Sequence, residues 1–364
     1  MVSAALQGAC DNAIRTARRG DTRAGVALAR HAYRLARQEG QPAELEALNA
    51  LALCQTANGS YIESIATSID AFGLAGLIGH RGGAAHALTA MAGSASFILD
   101  ANAVALEILE TCVKEAAELG DIVLAARVHN TFGLIYGNLG RFDEGDAQYE
   151  MGMKLVESGD NRAAIFVPHY LFLGNRAYLA VQRLRAALSG ADEAAVAPLV
   201  GDALARIERV MLISGAEANI DAEARAYFCL GQLRALQGNT AAALAAFIET
   251  LKRATIIRHY PRIIDTQIEM SVLYRQSGRY DDAMQVLEAA YELADANRPT
   301  SRVPIICEGF AETLSRLGRE PEALLYRAKS RREREAFSRQ NDYAMHDLQS
   351  FWQRLVADRT PRAG

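Results

Sequence analysis

The chain has 364 residues, half of them hydrophobic, and a formal net charge of −4 at pH 7. That is ample to bury a large core, and the near-neutral balance gives no electrostatic case for nucleic acid as the main partner. The five cysteines (Cys10, Cys54, Cys112, Cys229 and Cys307) lie more than forty residues apart, with no CxxC or Cys/His spacing. This supports neither a disulfide framework nor a zinc site, and reads as small buried thiols in a reducing compartment.

The first twenty residues lack a basic segment followed by an apolar run, so they do not read as a signal peptide. The most apolar region, 84–109, is broken by His86, Asp100, Asn102 and Glu107, and nothing there is long enough to span a bilayer. The expected compartment is the cytoplasm.

In chain order, a short polar turn recurs about every forty residues. It stands at Gly20-Asp-Thr-Arg-Ala-Gly25, Gly59-Ser-Tyr-Ile-Glu-Ser64, Asp100, Gly140-Arg-Phe-Asp-Glu-Gly145, Gly238-Asn-Thr-Ala-Ala-Ala243, Gly278-Arg-Tyr-Asp-Asp-Ala283 and Gly318-Arg-Glu-Pro-Glu-Ala323. The one long gap, between Gly140 and Gly238, holds an enlarged irregular unit over about 160–215, turning near Ser189-Gly190. The count is about eight units.

Each unit reads as a helix hairpin. After Gly278, Tyr280, Ala283, Met284, Leu287, Ala290, Tyr291 and Ala294 recur at helical spacing, with Asp281, Asp282, Gln285, Glu288 and Glu292 between them. A glycine ends the first helix of the hairpin, because it enters the left-handed cap without strain. One hairpin cannot bury both faces, so it must stack on the next.

The period, the turn and the aromatic positions resemble a tetratricopeptide repeat array of the longer, forty-residue kind. Gly133, Tyr136, Gly140, Phe142 and Tyr149 carry most of the signature in the fourth unit, where Gly145 replaces the usual Ala. Tyr274, Gly278, Tyr280, Ala283 and Ala290 carry it in the seventh, and Tyr227, Leu230, Gly231, Gly238, Ala243 and Phe247 in the sixth. The resemblance implies an all-α, right-handed superhelical solenoid over residues 1–325, followed by a charged helix over 326–364 with a frayed end. It also implies a non-enzymatic scaffold.

Four acids, Asp143, Glu144, Asp146 and Glu150, crowd the fourth turn. Acids recur in the same slot at Asp21, Asp281, Asp282, Glu320 and Glu322, so they read as complements to a helix N-terminus, not as a metal cage. No HExxH, GxSxG, P-loop or Rossmann pattern is present. Neither cofactor nor metal is expected, and His169 beside Pro168 is the one histidine placed near the groove.

In such arrays the first helix of each hairpin lines the concave face. Transferring the family's inward positions gives Asn49 and Thr56; then Arg127, Asn130, Leu134 and Asn138; then Asn175 and Tyr178 with the adjacent Arg176. It further gives Arg225, Phe228 and Gln232, and then Asp265, Ile268, Arg275 and Gln276. Asn offers donor and acceptor together and Arg holds carboxylates, a set suited to a peptide or a small anion.

In the tail, Phe337, Asn341, Ala344, Leu348, Phe351 and Leu355 step by fours and threes. This is a short coiled-coil seam that would pair two copies into a homodimer, with Asn341 fixing register. The alternative has Leu348, Phe351 and Trp352 folding back to cap the last repeat; a DNA-binding basic helix is the third reading. Repeats followed by a charged helix resemble the sensory halves of bacterial signalling proteins. Two functions follow as expectations. One is a scaffold binding a protein or peptide in its groove. The other is a sensory module for a small ligand, relaying through a dimeric C-terminal helix to a cyclase, kinase or DNA-binding output domain outside this sequence.

Overall fold

The computed structural model describes residues 2–97, 101–157, 168–190, 193–216, 219–296 and 302–359. Every regular element among them is an α-helix. Those before the irregular unit are α1 (Ala4–Arg18), α2 (Thr22–Glu39), α3 (Gln41–Asn58), α4 (Tyr61–Leu77), α5 (Arg81–Ala95), α6 (Asn102–Leu119), α7 (Ile122–Asn138) and α8 (Phe142–Glu157). Then come α9 (His169–Ser189), α10 (Glu193–Ala216), α11 (Ile220–Leu236), α12 (Thr240–Ile256), α13 (Tyr260–Gln276), α14 (Tyr280–Ala296), α15 (Arg302–Arg316) and α16 (Glu320–Arg359). Taken in pairs they are eight hairpins, turning where the repeated motif stands. The turn expected at Asp100 and the chain end after Arg359 lie outside the described residues.

At the turns the backbone explains the glycines. Gly140, Gly278 and Gly318 have φ of 72°, 72° and 73°, in the left-handed region that favours glycine. The following arginine does further work. Arg141 donates to Glu144 at 2.6 Å, Arg279 to Asp282 at 2.7 Å and Arg319 to Glu322 at 2.6 Å. Arg141 and Arg279 also lie 4.4 and 4.6 Å from the ring centroids of Tyr136 and Tyr274. Of the four acids of the fourth turn, Asp143 and Glu144 sit in the first turn of α8, as the repeated slot implied.

Within a hairpin, a glycine of the first helix takes an aromatic ring of the second. A Cβ added at Gly231 would stand 2.5 Å from the Phe247 ring, and one at Gly133 would overlap Tyr149. Tyr149 is buried, whereas Phe142, expected to share that packing, is only half-buried. The irregular unit is longer than its neighbours: α9 has 21 residues and α10 has 24, with Pro198 inside it.

The chain divides into two compact units, one of residues 1–175 with 340–364, the other of residues 176–339. In the first, α4 to α7 share a core of Ile65, Leu88, Met91, Ile108, Leu109, Leu124 and Ile135. In the second, Phe228, Phe247, Met270 and Leu273 form one cluster. Ile264, Leu287, Ile306 and Phe310 form another.

The end of α16 differs from both foldings foreseen for it. Asn341, Ala344, Leu348 and Trp352 are buried, and Phe351 and Leu355 pack against the α4–α7 core of the first unit. Phe351 meets Phe72 edge-on at 5.1 Å, and Trp352 donates its indole N–H to Glu107 at 2.8 Å. The seam face is thus taken up inside the chain, leaving only the half-buried Phe337 outside this contact. It rests on the early repeats, not on the last one. The reason is chemical: α4 and α6 present Ile69, Phe72 and Val104 outward, an apolar bed that Leu348 and the aromatic pair cover.

Candidate functional site

The polar residues placed on the inner helices lie there, but most are spent on one another. They form rungs between successive first helices. In the first unit Gln7 of α1 donates to Glu46 of α3 at 3.1 Å. Asn49 of α3 donates to the Gly83 carbonyl of α5 at 3.2 Å, and Asn138 of α7 to the Ser96 carbonyl at 3.2 Å. Asn175 of α9 donates to Asn130 of α7 at 2.9 Å, both 9% exposed. Thr56 bonds Ser94 at 2.8 Å across the same step.

The rung through Arg127 is a partly buried relay. Arg127 is 4% exposed and donates to His86 Nδ1 at 2.6 Å. That ring nitrogen must accept, so the proton sits on Nε2, which donates to Asp121 at 3.1 Å. Asp121 also caps α7 through the Leu124 amide at 2.9 Å. Burial lowers the Arg127 pKa to about 10 and also lowers that of His86. Burial alone would raise Asp121, but the hydrogen bond from His86 and the nearby charges bring it down to about 2. Cys54 and Cys229, buried, are pushed up to about 12 and about 11, far from thiolate chemistry.

In the second unit charged side chains dominate the rungs. Gln232 of α11, 3% exposed, donates to Glu269 of α13 at 2.7 Å, and Arg185 of α9 lies 3.5 Å from the same carboxylate oxygen. Arg302 clasps Asp265 through two bonds of 2.6 and 2.8 Å, and Arg275 meets Glu312 at 3.0 Å. Arg262 lies over the Phe228 ring at 5.3 Å.

Of the inward residues, Asn49, Arg127, Asn130, Asn175, Gln232 and Arg275 are therefore first of all ties between repeats. Asn138 and Tyr178 are exposed, and Arg176 and Arg225 half-buried. Tyr178 is 43% exposed, and its hydroxyl lies within the fields of Arg185, Asp265 and Glu269. Sequence reading passed over Arg185 and Glu269, although both fall on first helices; an ionic pair split between repeats leaves no local motif. His169 donates its Nε2–H to the Glu157 carboxylate at 2.9 Å, and among the described residues the pair joins no larger metal-type cluster. Among the described residues no three His, Cys, Asp or Glu side chains converge as a metal set, and no helix is long and apolar enough to cross a membrane.

Paired helices stacked with polar rungs define the class: an all-α helical-repeat solenoid. Residues 222–296, spanning α11 to α14, match the tetratricopeptide repeat family model, so this stretch carries tetratricopeptide repeats. No curated protein matches it. Among solved structures, a Rap protein complexed with competence and sporulation factor is similar, with 11% identity and a TM-score of 0.51. The match covers 97% of this chain and 99% of that one. Aspartyl phosphate phosphatase F from Bacillus subtilis has 10% identity and a TM-score of 0.51, over 100% of this chain and 97% of that one. At such identities the likeness is one of fold.

Proposed function

We propose that the protein is a non-enzymatic, cytoplasmic scaffold that binds a peptide or an extended protein segment on its first helices, in a regulatory role. The observation that carries this reading is the polar patch of the second unit. Tyr178, Arg185, Gln232 and Glu269 come from three successive first helices and place an accessible ring beside a cation, an amide and a carboxylate. An extended peptide needs that mixture: a flat surface for a side chain, and both donor and acceptor for its backbone. The Gln232 Oε1 is buried without a hydrogen-bond partner, an acceptor left for a ligand or a water to satisfy. A structurally similar Rap protein is itself complexed with competence and sporulation factor. Tetratricopeptide folds with no catalytic constellation fit binding better than turnover.

A peptide array probed with the full chain tests the reading. Binding should fall at least tenfold for Tyr178→Ala combined with Arg185→Ala, and be retained by Asn138→Ala on the other unit. An unchanged binding profile in the double variant would remove this patch from the function.

A further inference from the structure

We propose that the outward face of the last helix is a self-association surface, on which a second copy of this chain docks antiparallel about a two-fold axis. The inward face of residues 341–355 is already used, because Asn341, Leu348 and Trp352 are buried in the first unit. What remains is a second stripe on the same helix. Tyr343, Asp347, Ser350 and Arg354 step by four, three and four, on the side away from Leu348. Tyr343 is 75% exposed.

Beside this stripe runs an open groove of about 690 Å³, lined by Ile69 of α4 and by His346, Asp347, Ser350, Phe351, Gln353 and Arg354 of α16. It has an apolar floor, Ile69 with Phe351, and a charged rim. Arg354 donates to the Ser350 carbonyl of its own helix at 3.1 Å, and among the described residues neither it nor Asp347 has an ion-pair partner.

The charge pattern selects the occupant. Asp347 and Arg354 are seven residues apart on one helix, roughly 10.5 Å along its axis, too far to neutralise each other. A two-fold axis passing between Ser350 and Phe351 changes that. An antiparallel copy places its Arg354 opposite Asp347, and its Asp347 opposite Arg354. The surface is complementary to itself, the condition for an isologous dimer. Exposed ion pairs contribute little affinity, so their part is register; closing the groove over its apolar floor of Ile69 and Phe351 supplies the attraction. The inference is independent of the peptide-binding reading, because it uses no residue of the second unit.

Sedimentation velocity of the full chain over a concentration series, at low and high salt, tests it. The wild type should dimerise. Asp347→Arg or Arg354→Asp alone sets like charges face to face twice per dimer and should weaken association at least tenfold. The combined reversal, Asp347→Arg with Arg354→Asp, regenerates both attractive pairs and should restore the wild-type constant. Both positions are exposed, and unaltered emission from Trp352, the only tryptophan, verifies that the helix stays seated. A wild type that is monomeric throughout overturns the proposal. So does a dimer indifferent to the single reversals, or one the double reversal fails to rescue.

Discussion

Trp352 and Glu107 are joined by a 2.8 Å hydrogen bond although 245 residues separate them in sequence. The indole buries its rings among the residues of α4 to α7 and shows only its N–H to the carboxylate. Replacing Trp352 by Phe keeps an aromatic ring and removes the donor, which should cost about 0.5–1.5 kcal/mol. Replacing Leu348, fully buried beside it, by Ala opens a cavity and should cost about 2–5 kcal/mol. Urea unfolding followed by circular dichroism measures both. In the Leu348→Ala variant the tryptophan emission should also shift to the red at lower urea than the helical signal falls, because the tail leaves first. Coincident transitions would mean that residues 341–355 and the early repeats unfold as one.

The packing of the fourth hairpin separates two aromatic residues that the repeat pattern treats alike. Tyr149 is buried against Gly133, and Phe142 is half-buried at the start of α8. Tyr149→Ala should therefore cost about 3–5 kcal/mol, and Phe142→Ala distinctly less. Gly133→Ala should cost about 1–3 kcal/mol by overpacking, since its Cβ would overlap the Tyr149 ring. If the double variant Gly133→Ala with Tyr149→Ala is less damaged than the two single losses added together, the contact is confirmed as the source. Strict additivity would place the cost elsewhere.

A partly buried histidine at a helix start makes stability depend on pH. His259 caps α13, its Nδ1 accepting the Arg262 amide at 3.2 Å, and burial lowers its pKa to about 4. Asp221 is 3.9 Å away, too far to bond the ring. The folded pKa lies below the unfolded value of about 6.5, so the unfolded chain binds more protons in between. Stability should be unaffected by this group above pH 6.5, fall as the pH drops toward 4, and lose about 3 kcal/mol in all. His86, lowered in the same direction, adds to the slope. His259→Asn keeps a good cap and removes the proton site, so its thermal midpoint should depend less on pH across that window. An identical pH profile in variant and wild type would assign the slope to other groups.

The hairpins were legible because the repeat writes its constraints locally. Gly278 with Arg279, Tyr280 and Asp282 holds a turn, a stacked cation and a first-turn acid within five residues. The rungs were legible as polar positions but not as bonds, because Gln232 meets Glu269 and Arg302 meets Asp265 from repeats 37 residues apart. A residue read as open to a ligand from the sequence can be consumed by the next repeat, and the spacing alone does not say which. The tail shows the same limit: its heptad pattern marked an apolar face correctly, and only the fold identifies the bed of α4 and α6 on which that face rests.

The tie between Asn130 and Asn175 allows the rung idea to be measured. The two amides are 2.9 Å apart and both buried, with Asn175 donating and Asn130 accepting. Removing either partner leaves the other amide without this bond in a place water hardly reaches. Asn130→Ala and Asn175→Ala should each cost about 1–3 kcal/mol. The double variant removes both groups, so it should cost less than the sum, with a coupling of about 0.5–3 kcal/mol. A groove whose asparagines serve a ligand would give a different result: each variant would keep its stability and lose binding instead. Measuring unfolding and peptide binding on the same four proteins separates the two roles, and the rung assignment requires the cost to appear in unfolding.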